Sequence, residues 1–408
     1  MDRIRRDLRL HAAADADRQF HDWFQRRKLR WFLKEILAPS QFYQDPEYTS
    51  LAPAGDPHET FSRAPLLEKA RLKRMSQTFI SGRDGTPYFR ARTTGSTGVP
   101  LEMWFDREYF ISFYSRFLYF LRRHNLWPDP STVSLMSLSV SSKAIYNEDD
   151  YSFLVPALNY SYFHRVNIRA AHWQSPAAVV SFIAAQAPLV VRGVPRTLEV
   201  LADYVQACPA AGVVHPKLVI STAETLLPAT RRRFVEVFGA PVIEEYGLTE
   251  VGGVVAVECA EHQGFHIDTV DYYVETVDPA GAPVSDGAEG EIVITNLYHR
   301  PVPLFRYRSG DYGVITREPC SCGSVAPRLL KFGGRALSRF SLPGGQSYNP
   351  FEVFRGPGEQ PTHHALLRRG SKHRRQRGDP RPPRPSAAAA LGPGRTSPAE
   401  GEQDRDRP

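Results

Sequence analysis

Aromatic residues are missing from the last 54 residues: 355–408 contain no Phe, Tyr or Trp but nine of the chain's 34 prolines. With Arg, Ala and Gly dominating and no apolar periodicity, this segment cannot bury enough surface to offset chain entropy, and a disordered tail is expected. The remainder lacks net charge. The tail holds 12 Lys+Arg and 6 Asp+Glu; subtracting these from 51 and 44 leaves 39 basic and 38 acidic residues, so 1–354 carries only +1 of the formal +7. A surface that tracks phosphates needs clustered excess cation, so no nucleic-acid partner is expected. Cysteine is scarce, at positions 208, 259, 320 and 322 only, which excludes a disulfide scaffold. Long apolar runs are absent too. The most aromatic stretch, Tyr109 to Phe120, is broken by Ser112, Ser115 and Arg116 and followed by Arg122 and Arg123, too short and polar to span a bilayer. It reads as a core helix. The N-terminus, with Arg3, Arg5, Arg6 and Asp7, lacks the apolar core of a secretory signal, so a cytoplasmic protein without a membrane partner is expected.

What is present is enough apolar and aromatic sequence for a large core. Residues 1–60 read as a helical segment packing on the main domain, with Phe20, Trp23, Phe24, Leu29, Trp31, Phe32, Ile36 and Leu37 partly at helical spacing. From Thr93 onward strand-like runs (Ser131–Val140, Leu189–Arg192, Lys217–Ser221, Pro241–Glu245) alternate with helical ones (Ala177–Ala185, Ala229–Phe238). That alternation predicts an α/β fold with buried parallel strands. Three further runs, Gly253–Glu258, Tyr272–Val277 and Glu291–Thr295, are separated by turn-forming residues and predict an attached antiparallel β subdomain.

Three segments carry chemistry. Thr93-Thr94-Gly95-Ser96-Thr97-Gly98 is a hydroxyl- and glycine-rich run whose backbone and side chains suit phosphate oxygens, although by itself it also fits an ordinary turn. Glu244-Glu245-Tyr246-Gly247-Leu248-Thr249-Glu250 follows an apolar strand, at the sheet edge where open α/β folds bind ligands. A carboxylate there can hold hydrated magnesium and the tyrosine can stack on a base; solvated acids at a strand end fit equally. Arg300 to Asp311 is basic and aromatic and closes on Gly310-Asp311, read as a turn whose aspartate can accept two ribose hydroxyls, with surface arginines as the alternative. A fourth constellation, Cys259, His266, Cys320 and Cys322, supplies three thiols and one imidazole, a complete tetrahedral set for structural zinc. His262 competes for the histidine place, and buried free cysteines are the other reading.

In this order and at these separations, the three segments resemble the nucleotide-binding signatures of the adenylate-forming superfamily. The likeness is greatest to phenylacetate–CoA ligases, including members assigned to capsular polysaccharide synthesis. It runs from about Ala64 to Phe354, with Ser221-Thr222-Ala223-Glu224, Cys320-Ser321-Cys322-Gly323 and Gly334-Arg335 as further family-like pieces. The resemblance implies an AMP-binding catalytic domain over 61–334, built from parallel-sheet α/β subdomains plus the antiparallel one. Residues 335–354 would be the hinge and start of a small C-terminal domain that is otherwise largely missing.

It further implies that Thr93, Thr94, Gly95, Ser96, Thr97 and Gly98 form the phosphate loop. Glu224, Glu245, Tyr246 and Gly247 would belong to the nucleotide site, Thr249 and Glu250 would be catalytic at phosphate and magnesium, Asp311 would hold the ribose, and Arg335 would lie at the hinge. The cofactors implied are ATP, Mg2+ and coenzyme A, with zinc at the cysteine cluster as in some members. The implied reaction is activation of a carboxylic acid, aryl or arylacetic by family default, as acyl-adenylate, followed by transfer to coenzyme A or a carrier-protein thiol. A homodimer is compatible with it.

Two positions depart from the pattern: Val99 stands where many relatives have lysine, and Ser338 where they commonly have an aspartate hinge. Family-like sequence stops near Phe354, and Lys372 is the one lysine of the tail. A nucleotide-binding homologue with little ligase activity is therefore the alternative reading. Tyr146, Phe153 and Tyr160 are candidate walls of the acyl pocket.

Overall fold

The computed structural model describes residues 2–51, 55–81, 89–92, 101–127, 133–139, 146–149, 162–169, 173–298, 301–335, 340–341 and 347–348. Thr93–Gly98, expected to form a phosphate loop, and Val99, Ser338, Phe153, Tyr160 and the 355–408 segment lie outside them. The chain opens with helices α1 (Asp2–Ala16), α2 (Arg18–Phe32), α3 (Pro46–Thr49), α4 (Pro57–Arg63) and α5 (Lys69–Ser81). A hairpin, β1 (Phe89–Arg92) and β2 (Glu102–Phe105), leads into α6 (Arg107–Arg123). Asp106 starts α6 because its carboxylate accepts from Tyr109 N at 2.9 Å, satisfying a donor the first turn leaves unpaired.

Then follow β3 (Val133–Ser139), β4 (Tyr146–Asp149), β5 (Tyr162–Asn167), α7 (Pro176–Gln186), β6 (Val190–Gly193), α8 (Pro195–Ala207), β7 (Leu218–Thr222), α9 (Pro228–Phe238) and β8 (Val242–Leu248). From Gly253 to Arg335 the described elements are all strands: β9 (Gly253–Glu258), β10 (Phe265–Ile267), β11 (Tyr272–Val277), β12 (Glu289–Asn296), β13 (Tyr307–Thr316) and β14 (Arg328–Arg335). A short pair closes the list, β15 (Phe340–Ser341) and β16 (Ser347–Tyr348).

Among the described residues β3 to β14 form one sheet in the order β11-β12-β13-β14-β10-β9-β8-β7-β6-β3-β5-β4. Strands β5, β3, β6, β7 and β8 run parallel, and from β8 through β9 to β11 every pairing is antiparallel. The α/β architecture with a parallel part and an antiparallel part is therefore the observed one. The two-residue period of a strand divides its apolar residues between two cores. Met136, Leu138, Val191, Val219 and Val242 pack under α7, α8 and α9, while Leu135, Val190, Leu218, Ile220 and Ile243 join the core that includes α6. Strands covered on both faces read as continuous apolar runs, which is why the sequence showed them so clearly.

Two expectations change. The stretch around Glu245 does not follow the strand, because β8 runs on to Leu248 and the turn begins only at Thr249. Gly310-Asp311 is not a terminal turn either but an irregularity inside β13, where Ser309 to Asp311 stand opposite the single residue Ile292. Gly310 takes φ +74° there, which a side chain would strain.

Candidate active site

Strand β8 carries the most informative residues, and alternation sends consecutive ones to different partners. Tyr246 is buried and its hydroxyl donates to Asp311 Oδ2 at 3.1 Å, joining β8 to the bulge of β13 across 65 residues of sequence. Burial, and then the negative Asp311, push the Tyr246 phenol well above its ordinary pKa, so it stays a neutral donor. Asp311 is held in turn by its own N–H donating to Ser309 Oγ at 3.0 Å, and it sits opposite Arg335 in the β13–β14 register.

Glu250, buried in the turn after β8, accepts from Tyr307 Oη at 3.3 Å and pairs with Lys69 Nζ at 3.4 Å. Thr249 beside it is exposed. Gly247 marks a close approach, since a Cβ there would lie 2.2 Å from Gly253 O. Tyr246, Glu250 and Asp311 are thus linked through β8, the following turn and β13.

Other residues from the same motifs turn elsewhere. Glu245 accepts from Arg192 Nε at 2.7 Å, and Arg192 also donates to Thr222 Oγ1 at 3.2 Å. Glu224 lies at an exposed bend, 3.7 Å from Arg196, immediately after Ala223, whose φ of 64° is a strained value for a residue with a side chain. The partners Lys69, Arg192 and Tyr307 were not found from sequence. Lysines, arginines and tyrosines at such separations give no local signal.

A cavity of about 400 Å3 lies between α6 and the sheet face that bears Glu245. Phe105, Tyr109, Phe113, Phe117, Leu135 and Ile220 give it apolar walls, and Arg192, Glu245 and Thr249 line it as well. The stretch Tyr109 to Phe120 is consequently more than core: Phe110, Ile111, Tyr114 and Leu121 are buried, while α6 also forms a wall of this cavity. Of the expected wall residues, Tyr146 belongs to β4 and Phe153 and Tyr160 are undescribed.

Residues 157–297 match the family model described as AMP-binding enzyme. Phenylacetate-coenzyme A ligase of Thermus thermophilus is 36% identical over 129 residues, 31% of this chain and 29% of that protein. The Escherichia coli enzyme of the same name is 34% identical over 117 residues, 28% of this chain and 26% of that protein. Over these stretches the chain is similar to AMP-binding enzymes and to phenylacetate–CoA ligases. The matched stretch spans under a third of either relative's length. The fold agrees: a 2-hydroxyisobutyryl-CoA ligase in its postadenylation state superimposes with TM-score 0.65 at 18% identity, covering 84% of this chain and 73% of that one. Its open form, in complex with 2-HIB-AMP and CoA, gives 0.62 at the same identity, covering 84% and 81%. Among the described residues no helix is long and apolar enough to cross a membrane.

The chain also gathers its cysteines. Ligand atoms of Cys259, His266, Cys320 and Cys322 all lie within 4.8 Å of one another. Cys259 Sγ and Cys320 Sγ are 3.9 Å apart, and Cys322 Sγ and His266 Nε2 3.5 Å. A tetrahedral metal with M–S near 2.3 Å and M–N near 2.0–2.1 Å separates its ligand atoms by roughly 3.5–3.8 Å, so these residues fit one. His262 is committed elsewhere, with Nδ1 at 3.3 Å from Glu258 Oε2 and 3.1 Å from Arg231 Nη1. Burial, opposed by nothing comparable, lowers the His266 pKa to about 4, which keeps the imidazole neutral.

Proposed function

We propose that this chain binds ATP–Mg2+ and activates a carboxylic acid as its acyl-adenylate, with residues 61–334 as the catalytic domain and coenzyme A, or a carrier-protein thiol, as acceptor. The observation that carries the reading is the link between Tyr246 and Asp311, two residues from separate nucleotide-like segments, next to buried Glu250. A carboxylate is a poor acyl donor because its leaving group would be oxide. Attack of the carboxylate oxygen on the α-phosphate forms a new P–O bond, expels pyrophosphate and leaves AMP as a leaving group that a thiol can displace. The protein's part is positioning and electrostatic stabilisation.

In this reading Tyr246 borders the adenine, and Asp311 accepts the ribose hydroxyls, exchanging or sharing the Tyr246 contact. Thr249 would donate to phosphate and Glu250 would hold magnesium in place of its Lys69 contact, with Thr93–Gly98, outside the described residues, expected at the phosphate oxygens. Magnesium would supply charge neutralisation between the phosphates. The aromatic lining of the cavity fits an aryl or arylacetic acid, with Thr249 and Glu245 at the polar part of its wall. A cytoplasmic location and a homodimer belong to the same reading.

Asp311→Asn should weaken ATP binding about tenfold to a hundredfold, the value of hydrogen bonds to a charged acceptor, with the fold intact because the amide oxygen still accepts from Tyr246. Titration calorimetry with ATP–Mg2+ checks it. Unchanged affinity in a folded variant would remove Asp311 from the nucleotide site.

The cysteine cluster would hold one zinc per chain as a closed, structural site that ties the β9–β10 turn to the 320–323 turn. Metal analysis of purified protein should give one equivalent of zinc, lost in Cys320→Ser. A metal content near zero in freshly prepared, thiol-reduced protein would count against it.

A second reading is a nucleotide-binding homologue with slow chemistry. It is favoured by residues 355–408, where Lys372 is the only lysine and no neighbouring sequence resembles the family's catalytic lysine segment.

A further inference from the structure

Helix α1 ends against the cysteine cluster, and the contacts there form a chain of charges. Arg123, the last residue of α6, donates from Nη2 to Cys322 Sγ at 3.0 Å and from Nη1 to Asp15 Oδ2 at 2.5 Å. Asp15, one residue before the end of α1, also accepts from Tyr119 Oη at 2.7 Å and from the Ser324 hydroxyl. Its backbone carbonyl accepts from Val325 N at 2.8 Å. Both side chains are about one-fifth exposed, so water competes weakly for these bonds. Ser324 and Val325 directly follow the Cys320–Gly323 turn, in which Gly323 N donates to Cys320 O at 2.9 Å and Gly323 takes φ 88°. His11, Ala14 and Asp15 of α1, together with Arg123, Cys259 and His266, line the same cavity as Tyr109 and Glu245.

We propose that Arg123 and Asp15 act as an outer pair to the Cys259–His266–Cys320–Cys322 site, orienting Cys322 toward the metal and making the docking of α1, and with it one wall of the cavity, dependent on metal occupancy. This rests on the zinc reading above. Three thiolates and a neutral imidazole around a divalent ion leave one net negative charge, and the Arg123 guanidinium is placed to offset it at Cys322. Asp15 fixes that guanidinium from the other side, since Arg is planar and can present separate N–H groups to two partners at once. Without metal the turn that carries Ser324 and Val325 loses its anchor, and α1 loses two of the bonds that hold its end. Such partners of metal ligands typically change metal affinity tenfold to a hundredfold when removed.

The test uses the full chain. Zinc affinity is read by competition with a chromophoric chelator, and amide hydrogen exchange across residues 2–16 is followed with zinc bound and after chelation. Arg123→Gln should weaken zinc binding about tenfold to a hundredfold. It should also raise α1 exchange in the zinc-loaded protein toward that of chelated wild type. Arg122→Gln, one residue earlier and stacked on the exposed Trp127 instead, should change neither. If Arg123→Gln does not fold, Asp15→Asn replaces it, keeping an acceptor oxygen while removing the charge that fixes Arg123. Variants with wild-type zinc affinity, or chelation that leaves α1 exchange unchanged in zinc-containing protein, overturn the coupling. Wild-type protein that binds no zinc overturns instead the reading on which the coupling rests.

Discussion

Carboxylate-dependent release of pyrophosphate by this chain is expected to run about a hundredfold to a thousandfold slower than in full-length ligases, while ATP still binds. The binding contacts we assign, Tyr246, Glu250 and Asp311, all lie among the described residues. The lysine that the family resemblance places near the reacting carboxylate and α-phosphate acts mainly in the transition state. Where that lysine is not supplied, turnover should fall more than affinity. The assay is pyrophosphate release over a panel of aryl, arylacetic and fatty acids, beside calorimetry with ATP. Turnover equal to that of intact ligases would refute the defect. Absence of ATP binding would undo the nucleotide site itself.

Replacing Arg306 by Met should destabilise the fold by about 3–5 kcal/mol, the usual cost of removing one partner from a buried ion pair. Arg306 is 1% exposed. Its Nε donates to Glu275 Oε2 at 3.1 Å and its Nη2 to Glu275 Oε1 at 3.3 Å. Further bonds run to Ser62 O at 3.1 Å, Ala64 O at 2.5 Å and Gly281 O at 2.9 Å. One guanidinium thus fastens the end of α4 and the chain beyond it to β11 and the turn after it. Burial alone raises the pKa of Glu275, and Arg306 works against that rise; without it the carboxylate faces an apolar surround unpaired. Denaturant titration should show a lower midpoint with an unchanged slope, and Glu275→Gln combined with Arg306→Met should recover part of the loss. A shift under about 1 kcal/mol, the range of exposed pairs, would place Arg306 at the surface instead.

Arg306 also shows where sequence reading stops. In Arg300–Asp311 the arginines fitted either surface charge or ligand contact, yet this one is a structural bolt whose carboxylate lies 31 residues away. Burial of a charge is visible only once its partner is placed, because an isolated arginine has the same local pattern in every case.

Four of the five parallel strands and the helices α7 and α9 were legible to within a few residues because each is a local apolar pattern of strand or helix length; β5 and α8 were not found. The expected Leu189–Arg192, Lys217–Ser221, Ala177–Ala185 and Ala229–Phe238 correspond to the observed Val190–Gly193, Leu218–Thr222, Pro176–Gln186 and Pro228–Phe238. The resemblance to adenylate-forming enzymes was legible in the order of the motifs. Short or irregular strands were not. β10 has three residues and β13 contains a bulge, so neither repeats long enough to give a period.

The sequence by itself determined an α/β chain resembling adenylate-forming enzymes and the residue types from which a nucleotide site and a metal site can be built. Tertiary structure decided which of them meet. It paired Tyr246 with Asp311, gave Glu245 to Arg192, chose His266 over His262 beside the cysteines, and set Arg123 between Cys322 and Asp15. Each of those choices depends on strand register and helix docking over tens to hundreds of residues. Periodicity and motif spacing act over only a few.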